Sequence, residues 1–391
     1  MFFFDIESMF NNYDTFIEKD INVSNIFRYS ELIKILEKYR NFCSISKIGM
    51  STNKRKIFKM QWGIGKIKIF IWSQMHGNET TGTKSMFDIF NFFLKKENDK
   101  IVKFMKKKLT ILFIPMLNPD GSEFFKRRNA VNIDLNRDAI KLQSIEMQIL
   151  FKEIRKENPY ILFNLHDQRS VFNVDNKRFN PAILSFLSPA IDRKNTNTIS
   201  RIISMGVISG IVNKIKKLIP SIGGIGRYSD EYYPTATGDN LQKLGYSCIL
   251  LEAGNYPGDI KKNVVRKYNA ISIFSGFYFL STNEENKIKE CYRQYFTIKK
   301  NKSILLDKIY RKVKIQKNDN TFLVDIGLMK IEKFDIEKKN INSVLKIVDI
   351  GDLSQFFSYQ EIISKNNKFY GKNGRNYPKI GEIEFFEFKV K

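Results

Sequence analysis

Residues 66–74 begin with alternating polar and apolar positions and then turn apolar, which predicts a strand. Over residues 83–96 the apolar side chains recur every three to four positions, the period of a helix. Residues 109–117 are almost uninterruptedly apolar, as expected for a strand covered on both faces. The alternation continues with a helix over 143–157 followed by Pro159, a strand over 160–166, and a helix over 197–218 ended by Pro220. A strand over 246–252 and a long helix over 261–280 complete the series. The first 45 residues read as partly helical, over 30–39, and are expected to cap the sheet. Strands alternating with helices of this length predict an α/β fold: a mixed, largely parallel sheet with helices on both faces.

From about Lys300 the pattern changes. Short β-favouring runs at 312–316, 321–326 and 383–390 dominate, with turns at Asn318-Asp319-Asn320 and Asn373-Gly374. They predict a small β-rich C-terminal domain. A highly charged stretch over 283–302 is the expected linker, so the chain divides into 1–290 and 300–391.

Composition narrows the function classes. Three widely spaced cysteines, Cys43, Cys248 and Cys291, form neither a CxxC pair nor a disulfide framework, which suggests a reducing compartment. The start, Met1-Phe2-Phe3-Phe4-Asp5, has no basic stretch before its apolar residues and makes a poor secretory signal. A cytoplasmic location is the expectation. The longest apolar run, near 271–280, is too short to span a bilayer, so no membrane partner is expected. The net charge of +25 invites nucleic acid or acidic partners. Its lysines, however, are scattered, and Lys, Asn, Ile and Phe are abundant together, the pattern an AT-rich genome produces. Without an aromatic RNA-binding signature, zinc-finger spacing or a basic heptad region, no specific nucleic-acid partner is expected.

The chemistry centres on two histidines, the only ones in the chain. His76 follows the first strand and is followed three residues later by Glu79. His166 ends the apolar strand over 160–165. Two imidazoles and a carboxylate leave a fourth zinc position open, as a catalytic site requires. Glu252 ends a third strand, where partial desolvation would raise its pKa toward that of a useful general base. All three strand ends belong to the crevice where open α/β sheets bind ligands. Between the first two lies a turn-rich basic segment: Asn118-Pro119-Asp120-Gly121, then Arg127-Arg128-Asn129, then Asp134-Leu135-Asn136-Arg137. Arginines there would stabilise an oxyanion or clamp a carboxylate.

This order of motifs resembles the zinc metallocarboxypeptidase family, which includes the digestive carboxypeptidases, and looks most like its intracellular Bacteroidetes-type bacterial members. The motifs cover residues 69–254. The resemblance implies one zinc per chain, held by His76, Glu79 and His166, with Glu252 as general base. It implies that Asn136 and Arg137 bind the substrate's terminal carboxylate and that Asp134 orients His76. Arg127 would be the oxyanion arginine, with Arg128 competing because the segment is shorter than in the digestive enzymes. A substrate-covering tyrosine is implied some twenty residues before the glutamate. Tyr228, Tyr232 and Tyr233 qualify, Tyr228 being the first choice, and Arg227 beside it would add charge recognition. The expected activity is removal of a C-terminal residue from a peptide. The related N-acyl amino-acid hydrolases, similar to aspartoacylase and succinylglutamate desuccinylase, share His-Gly-Asn-Glu and Asp-Leu-Asn-Arg. The Asn-Pro-Asp-Gly turn and the chain length favour the peptidase. A non-catalytic binding protein on the same scaffold is the third reading; the retention of every catalytic residue type argues against it.

Overall fold

The computed structural model describes residues 4–21, 24–335 and 340–389. Met1–Phe3, which begin the supposed non-signal, and Val390, the end of the last β-favouring run, lie outside the described residues. The chain forms two compact units: Met1–Gln168 with Ala182–Lys300, and Arg169–Pro181 with Asn301–Lys391.

The strands of the first unit are β1 (Ser44–Met50), β2 (Lys56–Trp62), β3 (Ile67–Trp72), β4 (Leu109–Ile114) and β5 (Ile161–Asp167). After the two-residue β6 (Phe172–Asn173) of the second unit come β7 (Ala182–Leu187), β8 (Gly224–Arg227) and β9 (Cys248–Ala253). They make one eight-stranded sheet in the order β1-β2-β4-β3-β5-β9-β7-β8. Its centre, β4-β3-β5-β9, is parallel, whereas β1-β2, β2-β4 and β7-β9 pair antiparallel. The mixed α/β architecture expected from the sequence is therefore the observed one. β3, β4 and β5 are buried along nearly their whole length, which is why their sequences run apolar instead of alternating.

The helices of this unit are α1 (Ile6–Asn11), α2 (Tyr29–Tyr39), α3 (Thr81–Lys95), α4 (Lys100–Lys108), α5 (Pro119–Glu123) and α6 (Ile145–Glu157). They continue with α7 (Ile199–Ile215), α8 (Thr237–Lys243), α9 (Asn263–Thr282) and α10 (Glu285–Glu290). α3, α7 and α9 share the larger core, while Met147, Leu150 and Ile154 of α6 pack with Phe70, Trp72 and Leu112 in a second cluster. The expected charged linker over 283–302 is instead largely helical, with α10 followed by a 3-10 helix over Cys291–Thr297. Its charges are spaced around two buried anchors, Ile288 and Tyr295, so it packs as a helical turn and does not run free.

A buried ionic knot ties α3 to α9 and to the N-terminal segment. Asp88 accepts from Arg266 Nε at 2.7 Å and Nη2 at 2.5 Å, from the Glu18 N–H at 2.7 Å, and from the Tyr13 hydroxyl. Arg266 is only 3% exposed and Asp88 fully buried, so neither charge has water to fall back on. Asp88→Ala is expected to destabilise the protein by about 3–5 kcal/mol, the scale for leaving a buried charge without its partner. Urea unfolding midpoints measure it; a loss below about 1 kcal/mol would show that the knot is not a stability element.

In the second unit β6 pairs with β10 (Lys302–Ser303). A six-stranded sheet follows from β11 (Leu305–Lys317), β12 (Asn320–Asp335), β13 (Asn340–Gly351), β14 (Phe357–Ile363), β15 (Lys368–Tyr370) and β16 (Glu387–Lys389). Val313, Ile326, Leu328, Ile347 and Phe369 form its small core. Among the described residues, no helix in the chain is long and apolar enough to cross a membrane.

Candidate metal centre and its surroundings

β3 and β5 are parallel neighbours, and β5 pairs with β9 so that His166 stands directly beside Glu252. The loop leaving β3 brings His76 and Glu79 to the same edge. That loop is tightly determined. Gln74 adopts a left-handed φ of 42°, unfavourable for a side chain with a Cβ. Its buried amide offsets this cost by donating to Phe27 O, Gly77 O and Ser122 Oγ and accepting from Thr83. A Cβ on Gly77 would stand 2.2 Å from Gly121 C and Ser122 N, so only glycine lets the loop touch α5.

The Asn118-Pro119-Asp120-Gly121 segment forms this buttress. Asn118 caps α5 by accepting from Gly121 N at 2.8 Å, and its amide donates to Met75 O and Arg127 O, both at 3.3 Å. One side chain thus holds the histidine loop against the arginine loop.

At the strand ends His76 Nδ1 lies 2.8 Å from Glu79 Oε1, His166 Nδ1 lies 2.7 Å from Glu79 Oε2, and the two Nδ1 atoms are 3.2 Å apart. All three donors lie within 4.8 Å of one another in a buried position. They fit a zinc ion: two ligands about 2.0–2.1 Å from a shared tetrahedral zinc stand about 3.3 Å apart. Asp134 Oδ1 accepts from His76 Nε2 at 3.1 Å, which fixes the tautomer with Nδ1 facing the cluster. The same oxygen accepts from Asn136 N at 3.0 Å.

The electrostatics agree with a ligand set. Burial works against ionised Glu79, yet the two imidazoles hold its carboxyl well below the usual range. Burial lowers the His166 pKa more than Glu79 raises it, so that ring stays neutral. Burial also acts on His76, but Glu79 and Asp134 outweigh it and raise its pKa, so a metal there competes with a proton.

Glu252 is buried, and its Oε2 has no hydrogen-bond partner among the described residues. Burial, then the charges of Glu79 and Asp167, push its carboxyl well above the usual range; Arg127 and Lys262 oppose this weakly. Arg127 reaches the cluster, donating from Nη1 to Glu79 Oε1 at 3.1 Å and from Nε to Asp134 Oδ2 at 3.0 Å. Arg128 turns away, donating to Asn132 O within its own loop.

Asn136 Oδ1 accepts from Thr237 N at 2.9 Å, which docks the start of α8 beside it. Exposed Arg137 donates to Asn136 O at 2.7 Å, and its guanidinium lies 4.4 Å over the Tyr233 ring. Tyr233 N donates to Asp239, whose carboxyl burial pushes up to about 6. Tyr233, one of the three tyrosine candidates, is thus set against a candidate carboxylate-binding residue. Tyr228, the first choice from sequence, sits just after β8 with its N–H bonded to Phe186 O. Arg227 is buried over the Tyr295 and Phe296 rings and pairs with Asp230 at 3.6 Å.

Sequence reasoning missed Lys262. Its ammonium donates to Gly254 O at 3.0 Å and lies 3.8 Å from Asp167 Oδ2, which also accepts from Thr81 at 2.6 Å. Lys262 takes a left-handed φ of 55° ahead of α9, and no local motif announces it.

Comparison with known proteins accords with this geometry. Residues 29–169 match the zinc carboxypeptidase (peptidase M14) family model. Carboxypeptidase 2 of Trichophyton rubrum is 31% identical over 102 residues, 26% of this chain and 19% of that protein. The similarity thus spans only about a fifth of that relative's length. Thrombin-activatable fibrinolysis inhibitor shares the fold with TM-score 0.51 and 14% identity, over 71% of this chain and 80% of that one. The bovine form, in complex with a tick carboxypeptidase inhibitor, gives TM-score 0.50 and 14% identity over 64% of this chain and 96% of its own. The chain resembles zinc carboxypeptidases in sequence and in fold.

Proposed function

We propose that this protein is a zinc-dependent carboxypeptidase that hydrolyses the C-terminal bond of peptides. The observation that carries the reading is the convergence of His76 Nδ1, Glu79 and His166 Nδ1 beside Glu252 and Arg127. His76, Glu79 and His166 would hold one zinc per chain. When bound, zinc supplies a Lewis acid and makes water acidic enough to attack near neutral pH.

The chain's own residues account for the rest. Glu252 takes the proton of the attacking water on a carboxylate oxygen and returns it to the leaving nitrogen. Arg127 stabilises the oxygen that gains charge at the scissile carbonyl, its orientation fixed by Glu79 and Asp134. Asn136 and Arg137 receive the free α-carboxylate, and Tyr233 covers the bound residue.

The direct test is a mass-spectrometric screen of zinc-loaded protein against mixed peptides and N-acyl amino acids. Loss of single C-terminal residues is the expected result; an untouched peptide pool would refute the proposal. His166→Ala should lower metal content from about one zinc per chain to near none, because two ligands remain where structural and catalytic sites use at least three. Full zinc in the folded variant by elemental analysis would refute the ligand assignment.

The charge of +25 is not part of this function. Nucleic-acid binding should be weak and fall by about 10³-fold or more between 50 and 200 mM salt, as phosphate-only contacts do. Sequence-selective binding that survives physiological salt would reverse that reading.

A further inference from the structure

The N-terminal segment and the first turn of α9 line a half-open pocket of about 390 Å³ that shares no residue with the metal cluster. Small-molecule sites span roughly 300–1,000 Å³, so the space suits a ligand and not merely a few waters. Its lining combines apolar residues, Ile17, Ile21, Val264 and Tyr13, with the charged Lys19, Arg266, Lys267, Asp14 and Glu18.

These charges are unequally committed. Glu18 is already bonded by Lys38 at 2.7 Å and by the Tyr39 hydroxyl. Arg266 is spent on Asp88. Lys19 makes no hydrogen bond or ion pair among the described residues, and the Lys267 ammonium lies 3.9 Å over Phe10 and 5.9 Å over Tyr13, within electrostatic reach of Asp14. Against these two cations stands one acid, the exposed Asp14, which interacts electrostatically with Lys267. Apolar lining residues beside two lysines that share a single nearby acid match a molecule with a negative head and an apolar body.

We propose that this cavity binds a small amphipathic anion, a carboxylate carrying an apolar body, with Lys19 and Lys267 at its head and Ile17, Ile21 and Val264 along its body. The site is separate from the peptide-hydrolysing centre and does not depend on its assignment.

Calorimetric titration of the full chain with octanoate tests this, with octanamide as the uncharged control. Octanoate should bind once per chain with a Kd of about 1 mM or tighter, the affinity of a well-placed ligand of this size. Octanamide should bind at least about tenfold more weakly, and Lys19→Glu with Lys267→Glu should weaken octanoate by about tenfold or more. Val264→Phe fills the cavity and should abolish binding. Should that variant fold poorly, Lys19→Glu alone decides, because Lys19 is exposed and unbonded. Equal binding of octanoate and octanamide, octanoate binding unchanged in the lysine variants, or no saturable octanoate binding would each overturn the proposal.

Discussion

Glu252→Gln is expected to retain its zinc and its KM while kcat falls by about 10²–10⁴-fold, the usual contribution of a general base. The amide fills the space of the carboxylate, so β9 and its neighbours have no reason to move. What it lacks is a lone pair basic enough to take a proton from water. The structure explains why this carboxylate suits the task. Its Oε2 is buried without a hydrogen bond, and burial, Glu79 and Asp167 all raise its proton affinity. A carboxyl whose pKa is raised is protonated, and so inactive as a base, on the acid side of that pKa. The wild type should therefore lose kcat/KM as pH falls through the Glu252 pKa, and the residual activity of Glu252→Gln should lack that limb. Stopped assays across the pH range on both proteins check it. Near-normal turnover in the variant would move the base to Asp167, whose Oδ1 is likewise buried without a partner. Asp167 is the weaker choice because its other oxygen is taken by Thr81 and faces Lys262.

The candidate site was legible in the sequence where rare residue types coincide with strand ends. His76, His166 and Glu252 each follow or end an apolar run, and those runs are the adjacent central strands β3, β5 and β9. Strand and helix periods likewise announced α3, α6, α7 and α9, because each buries a broad face. What stayed hidden depends on contacts distant in sequence. Arg127 and Arg128 are equivalent on paper; the contacts of Arg127 with Glu79 and Asp134, and the Asn118 bridge between Met75 O and Arg127 O, join residues apart in sequence. The contacts of Tyr233 with Arg137 and Asp239 likewise join residues that the fold brings together. The grouping of Arg169–Pro181 with the second unit involves two-residue strands, Phe172–Asn173 on Lys302–Ser303, too short to carry any period. Strand β8 is similarly short and went unread.

Arg137→Ala should cost about 2–5 kcal/mol in kcat/KM on free-acid peptides, the scale for truncating one partner of a buried charge pair. A carboxypeptidase recognises a free α-carboxylate one residue from the scissile carbonyl. A guanidinium meets a carboxylate with two parallel N–H donors, and no other residue type reproduces that fork. Under the proposed function Arg137 makes this contact. Asn136, beside it, is bonded through its backbone N–H to the Asp134 oxygen that also holds His76. One side chain, Asp134, thus links His76 to the backbone of Asn136. In the free protein Arg137 is exposed and stacked on Tyr233, so its charge remains hydrated until substrate arrives. Peptides amidated at the C-terminus should already be poor substrates of the wild type, and Arg137→Ala should then change little, since the group that the arginine reads is absent. Comparing kcat/KM for free-acid and amidated peptides in both proteins completes a cycle that isolates the contact. Equal cleavage of the two peptide forms by the wild type would exclude exopeptidase recognition. A wild type that ignores both but deacylates N-acyl amino acids would keep the same metal cluster and the same Arg137, and assign them to the hydrolase reading instead.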